Sequence, residues 1–140
     1  MKLIAHRGNY KGANKSKENQ PSYIEEAIHA GFDVEIDVWY QDGLYLGHDN
    51  PEHEIDLDFL MRFHSSLWIH CKNVFALSTL SDLPELNVFW HENDAYALTS
   101  QGFIWTFPHC KVCEKSVVVT DSAKYMQFQD CYGVCADKLI

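Results

Sequence analysis

The sequence predicts an α/β protein, as a barrel or an open sheet, with its chemistry gathered at one end of the strands. About seven short apolar runs recur along the chain, and each passes into polar residues at its C-terminal end, where α/β barrels and open α/β sheets collect their functional groups. Apolar residues make up 46% of the 140, with 14% aromatics, enough to bury a core, and no linker-like stretch or repeat divides them. Residues 1–140 therefore read as a single domain.

The runs follow in order. Leu3-Ile4-Ala5 leads into His6-Arg7-Gly8, Val34 to Trp39 alternates, and Leu67-Trp68-Ile69 leads into His70-Cys71-Lys72. Val88-Phe89-Trp90 precedes His91-Glu92, and Phe103-Ile104-Trp105-Thr106 comes next. Val117-Val118-Val119 then runs into Thr120-Asp121, and Tyr132 to Cys135 into Ala136-Asp137. Between the early runs the spacing predicts helices. Ser22-Tyr23-Ile24-Glu25 fits a capping box, Ile24, Ala27 and Ile28 form an apolar stripe, and Gly31 suits the position past the end, giving a helix over about 22–30. Asp56 or Asp58 can cap a shorter helix through Phe59, Leu60 and Phe63, and Val74 to Leu80 forms another. Beyond residue 92 the intervals shrink to about ten residues, room for single turns only.

Charge and composition exclude several roles. Twenty acidic against eleven basic side chains give a formal charge of −9, which repels a polyphosphate backbone, so no nucleic-acid partner is expected. The N-terminus passes from Leu3-Ile4-Ala5 directly into His6-Arg7, too short an apolar run for a membrane span or a signal peptide, and a cytoplasmic location is expected. Five cysteines form an odd set. Cys110 and Cys113 make a C-x-x-C pair after His109, with Cys131 and Cys135 downstream, but reduced thiols are favoured over a zinc site with such irregular partners.

The sharpest chemical pattern is Asp33-Val34-Glu35-Ile36-Asp37-Val38. Period-two alternation puts the three aliphatic side chains on one face and Glu35 and Asp37 on the other, about 6.5 to 7 Å apart along the strand. On a wet face they would be ordinary surface acids. In an enclosed mouth they would repel unless a cation stood between them, forming an oxygen-rich site suited to Mg²⁺ or Ca²⁺. Asp42-Gly43 signals a tight hairpin that returns Leu44 to Gly47 beside the strand and brings His48-Asp49 near the carboxylates. His6 approaches the same mouth, and two imidazoles there suit acid and base work near neutral pH. On the third run His70 and Lys72 share a face, and Lys72 can neutralise a phosphate. Arg7 can do the same if the first strand ends before alternation turns it away. Trp105 and Trp90 read as core or pocket wall.

Ile4-Ala5-His6-Arg7-Gly8, Glu18-Asn19, Gly31 to Val38, Asp42-Gly43 and Gly47-His48-Asp49 together, in this order, resemble the signature of the glycerophosphodiester phosphodiesterases, within the phospholipase-C-like phosphodiesterases of TIM-barrel fold. The resemblance implies that His6 and His48 are the catalytic acid/base pair and that Glu35 and Asp37 bind a divalent metal, Mg²⁺ or Ca²⁺. It also implies that Arg7 and Lys72 contact the phosphate, that Glu18 and Asn19 frame the substrate site, and that Trp105 belongs to a late tryptophan strand beside the substrate. Where the family's third strand carries a Glu-x-Lys, this chain has His70 before Lys72, so His70 becomes the expected third metal ligand.

Barrels of this type run to about 250 residues. The expectation for this chain is therefore a reduced TIM-type β/α barrel with several outer helices shortened or missing, and with exposed strand backs that a second copy of the chain could cover. The expected activity is metal-dependent cleavage of a small glycerophosphodiester by two-histidine acid/base catalysis. The alternative is a non-catalytic domain that binds a phosphorylated head group.

Overall fold

The computed structural model describes residues 1–125 and 130–140. In chain order the elements are β1 (Lys2–His6), α1 (Pro21–His29), β2 (Asp33–Tyr40), β3 (Leu44–Leu46), β4 (His53–Ile55), α2 (Leu57–Arg62) and β5 (Leu67–Cys71). There follow α3 (Val74–Ser81), β6 (Val88–Phe89), β7 (Tyr96–Leu98), β8 (Ile104–Thr106), β9 (Ser116–Ser122) and β10 (Gly133–Lys138). Each of the seven apolar runs of the sequence falls on one strand: β1, β2, β5, β6, β8, β9 and β10.

These seven are hydrogen-bonded in parallel in the order β6-β5-β2-β1-β10-β9-β8. The last strand of the chain lies beside the first. β3 and β4 add an antiparallel hairpin to β2, and β7 lies antiparallel on β8. The ten strands of the described residues form one sheet, and it is open, because among those residues no ladder joins β6 to β8. The closed hydrogen-bonded ring of a TIM barrel is therefore not what this chain builds. With β6 only two residues long and β8 three, there is too little strand to close one. The gap is instead spanned by contacts: the Phe89 and Trp105 rings are 4.5 Å apart, and Ser100 N donates to Val88 O at 2.8 Å.

The helical shell is as thin as the spacing predicts. α1, α2 and α3 have nine, six and eight residues, and among the described residues no α-helix follows Ser81. None is long and apolar enough to cross a membrane. The expected capping box at Ser22 is not used: the helix starts earlier, with Gln20 at the cap position and Pro21 in the first turn, where its missing N–H costs nothing. Asp56 is the cap of α2, accepting from Phe59 N at 2.9 Å, and Asn73 caps α3 through Ala76 N at 3.0 Å.

Strand alternation divides the core in two. Ala5, Val34, Ile36, Val38 and Ile69 face α1, α2 and α3 in an outer layer with Ile24, Ala27, Leu60 and Leu80. Ile4, Trp68, Phe89, Trp105, Val117 and Cys135 fill the concave side of the sheet. β2 is thus buried on both faces, with Glu35 2% and Asp37 0% exposed. A wet face for the two carboxylates is excluded.

The hairpin after β2 positions His48, and Gly47 makes it possible. A Cβ at position 47 would land on the Asn50 carbonyl oxygen, a backbone atom that cannot swing aside. Gly47 O also accepts from Trp39 Nε1 at 2.7 Å. Gly47→Ala is expected to lower stability by about 1–3 kcal/mol. Urea denaturation would measure the loss, and an unchanged midpoint would show that the turn tolerates a side chain.

Candidate active site

The parallel register brings the polar groups together. His6 lies opposite Glu35 across β1 and β2, and Asp37 lies opposite His70 across β2 and β5. With all four at the C-terminal end of the concave side, His6 Nε2 stands 3.9 Å from Glu35 Oε1. His70 Nδ1 stands 3.2 Å from Asp37 Oδ1 and 3.8 Å from Glu35 Oε2.

Arg7 joins them because the strand ends at His6. Its φ of 56° abandons the alternation that would have turned it outward, and its Nε comes to 3.3 Å from Asp37 Oδ2. A non-glycine residue in this left-handed region costs roughly 1–2 kcal/mol. Two backbone bonds hold it there, Arg7 N to Glu35 O at 2.9 Å and Asn19 N to Arg7 O at 3.0 Å. Asn19, also left-handed at 62°, clamps Asp37 from both sides: its Nδ2 donates to Asp37 Oδ2 at 2.9 Å, and its Oδ1 accepts from Asp37 N at 3.0 Å.

The electrostatics leave a specific deficit. His70 Nε2 donates to His91 O at 2.9 Å, which leaves Nδ1 facing the two carboxylates, where it offers a lone pair whenever the ring is neutral. Glu35 Oε1 and Asp37 Oδ1 are buried without a hydrogen-bond partner among the described residues. Glu35, Asp37 and His70 face each other, their ligand atoms all within 4.8 Å of one another. Burial, reinforced by the charge of Asp37, pushes the Glu35 carboxyl up to about 7. Burial also works to raise Asp37, but hydrogen bonding and charge from His70 when its ring is protonated, the Arg7 charge and the Asn19 bond outweigh it and hold Asp37 below the usual carboxylate range. Two carboxylates and an imidazole with unsatisfied lone pairs are a donor set that fits a divalent cation. Among the described residues no other group of three or more potential ligands converges, so Cys110, Cys113, Cys131 and Cys135 form no such cluster.

His6 and Arg7 are coupled from behind through Asn9, which is fully buried. Its Nδ2 donates to Glu18 Oε1 and to Asp137 Oδ1, both at 3.0 Å. Glu18 Oε2 accepts from Arg7 Nη1 at 3.2 Å, and Asp137 Oδ1 lies 2.9 Å from His6 Nδ1. Asp137 as acceptor places the proton on Nδ1 and leaves Nε2 directed at Glu35 and the cavity. Burial alone would lower the His6 imidazole, but the Asp137 bond and the Glu35 charge outweigh it and raise it above its ordinary value.

A cavity of about 480 Å³ opens above this floor. His6, Arg7, Glu35 and His70 line its base, and Lys72 and His48 also stand in its wall. The opposite wall includes Trp105, Phe107, His91 and Asp121. His48 is set apart from the rest: its side chain is 42% exposed, bonded to Asp49 at 2.8 Å, and it reaches the cavity without touching the carboxylate pair. Glu18 and Asn19 lie behind Arg7 and Asp37 and hold them. Trp105 is both wall and core, 5% exposed and tilted against Trp68 at 6.1 Å.

Sequence reading passed over Asn9 and gave Asp137 no role. Asp137 obeys the strand-end rule that singled out His6, since its strand pairs with β1. Nothing local marks Asn9, whose partners are up to 128 residues away.

Neither protein-family models, nor curated proteins, nor solved structures gave a match to this chain.

Proposed function

We propose that the protein is a metal-dependent phosphodiesterase acting on a glycerophosphodiester-type substrate, and that its curled sheet is a reduced β/α barrel. The reading of the sheet rests on the pairing of the last parallel strand with the first and on the Phe89–Trp105 contact across the remaining gap. The observation that carries the activity is the convergence of Glu35, Asp37 and His70, with buried unpartnered oxygens, beside His6 and Arg7 at the base of an open cavity.

Glu35, Asp37 and His70 Nδ1 would hold Mg²⁺ or Ca²⁺, and a bound cation supplies charge neutralisation at the phosphate's non-bridging oxygens. Arg7 and Lys72 add fixed positive charge around the same oxygens. His6, with its Nδ1–H held by Asp137, presents Nε2 to take a proton from the attacking oxygen, either water or a neighbouring hydroxyl of the substrate. As the new O–P bond forms, the bond to the leaving alcohol breaks and that alkoxide takes up a proton, for which His48 at the cavity mouth is the candidate donor.

One observation favours a second reading, binding of a phosphorylated head group without turnover: His48 makes no contact with the carboxylate pair. Turnover decides between them. Glycerophosphocholine or an aryl phosphodiester is expected to be hydrolysed with Mg²⁺ or Ca²⁺, to stop on chelation and to resume when metal is restored. No turnover with any divalent cation would leave only the binding role.

A further inference from the structure

A second cleft of about 350 Å³ adjoins the cavity, and both have Arg7 and His48 in their walls. It lies between the 14–19 loop and the turn after β3, and its remaining lining is Lys15, Glu18, Asn19, Asp49 and Glu52. All seven lining side chains are polar or charged. In the large cavity Trp105, Phe107, Pro108 and Val119 offer apolar surface instead.

Most of the polar atoms in the second cleft are already committed. Glu18 holds Arg7 and Asn9, Asn19 holds Asp37, and Asp49 holds His48. Lys15 and Glu52 are the two charged side chains of the cleft left without a hydrogen-bonded partner among the described residues. Among the described residues Lys15 makes no ion pair, and Glu52 has only a loose one to His53 at 3.7 Å. An ammonium beside a carboxylate, neither with a close partner, does not favour an anionic or a cationic ligand, and a cleft with no apolar side chain in its wall does not favour an acyl or aromatic one. It suits a neutral group that both donates and accepts hydrogen bonds.

We propose that this cleft between the 14–19 loop and the 48–52 turn is a binding subsite for a neutral, hydroxyl-rich arm of the diester, with Lys15 and Glu52 as its specificity-determining residues. This assignment rests on the phosphodiesterase reading, because a phosphate seated at the shared residues Arg7 and His48 turns one ester arm into each recess. The arm in the large cavity then carries the apolar or aromatic part of the substrate, and the polar cleft takes the polyol.

Two measurements test the subsite separately from turnover. The first is backbone amide NMR of the whole chain titrated with glycerol phosphate and, in parallel, with inorganic phosphate. Glycerol phosphate is expected to shift amides of residues 14–19 and 48–52 that inorganic phosphate leaves in place; identical shift patterns would overturn the subsite. If that difference appears while no diester is turned over, the subsite stands and the enzymatic reading falls. The second compares p-nitrophenyl glycerol phosphate with p-nitrophenyl methyl phosphate in the presence of divalent metal. Lys15→Ala and Glu52→Gln are each expected to reduce the preference for the glycerol diester by about tenfold, the loss of one charge-assisted hydrogen bond. An unchanged preference in both variants would overturn the assignment.

Discussion

Glu35→Gln is expected to make the metal-free protein more stable and, at the same time, blind to divalent metal. The wild-type carboxylate is 2% exposed, has an oxygen without a hydrogen bond among the described residues, and faces Asp37 and His70 Nδ1. Its folded-state pKa is raised from 4.5 to about 7. A raised carboxyl keeps its proton in the folded chain where the unfolded chain has lost it, so stability falls as pH rises from about 4.5 to about 7 and stays lower above. The whole fall amounts to roughly 3 kcal/mol. Glutamine fills the same space without the charge, so denaturation at pH 8 should show a gain on the order of 2–3 kcal/mol and a flatter stability profile across that window. The wild-type protein should recover the difference when Mg²⁺ or Ca²⁺ is added, because a cation that binds only the folded chain stabilises it. The variant should show no such thermal shift and no metal-dependent turnover. A variant less stable than the wild type at pH 8, or one stabilised by metal to the same degree, would remove Glu35 from the metal site.

How much of this was legible beforehand follows from the range of the interactions. The carboxylate pair on β2 and the hairpin at Asp42-Gly43 are local patterns, and both formed as the sequence spacing required. His6 and His70 could be placed from strand ends alone, because in parallel strands those ends gather on one side. The orientation of Arg7 could not, since it depends on a left-handed turn that alternation does not encode. Pattern reading left an open sheet as the alternative to a barrel and could not choose between them: the runs at Val88 and Phe103 look like full strands, but only two and three residues of them pair. His48 was expected beside the carboxylates. The hairpin does bring it to the cavity, but Asp49 holds it at the rim. Asn9 and Asp137 complete the site through contacts spanning most of the chain, which no local period records.

His6→Ala is expected to reduce turnover at least a hundredfold while leaving the fold intact. Its ring is held by Asp137 and pairs only distantly with Glu35, so little packing is lost with it. The more discriminating variant is Asp137→Asn, whose closest contact with the proposed catalytic groups is its 2.9 Å bond to His6 Nδ1. The native carboxylate can only accept, so the imidazole proton stays on Nδ1 and the Nε2 lone pair faces the cavity. An amide can donate to Nδ1 instead, moving the proton to Nε2 and leaving nothing there to accept one. A loss of at least tenfold in kcat is therefore expected, larger than the change in KM, since Arg7, Lys72 and the three groups proposed to hold the metal are not substituted. Removing the carboxylate also removes the largest of the effects that oppose burial at His6, so the imidazole falls and the acid limb of the pH–rate profile moves to lower pH. A purely structural role for Asp137 would lower stability and the amount of active protein without moving that limb. An unmoved limb would assign the proton transfer to another group, with His48 the next to test.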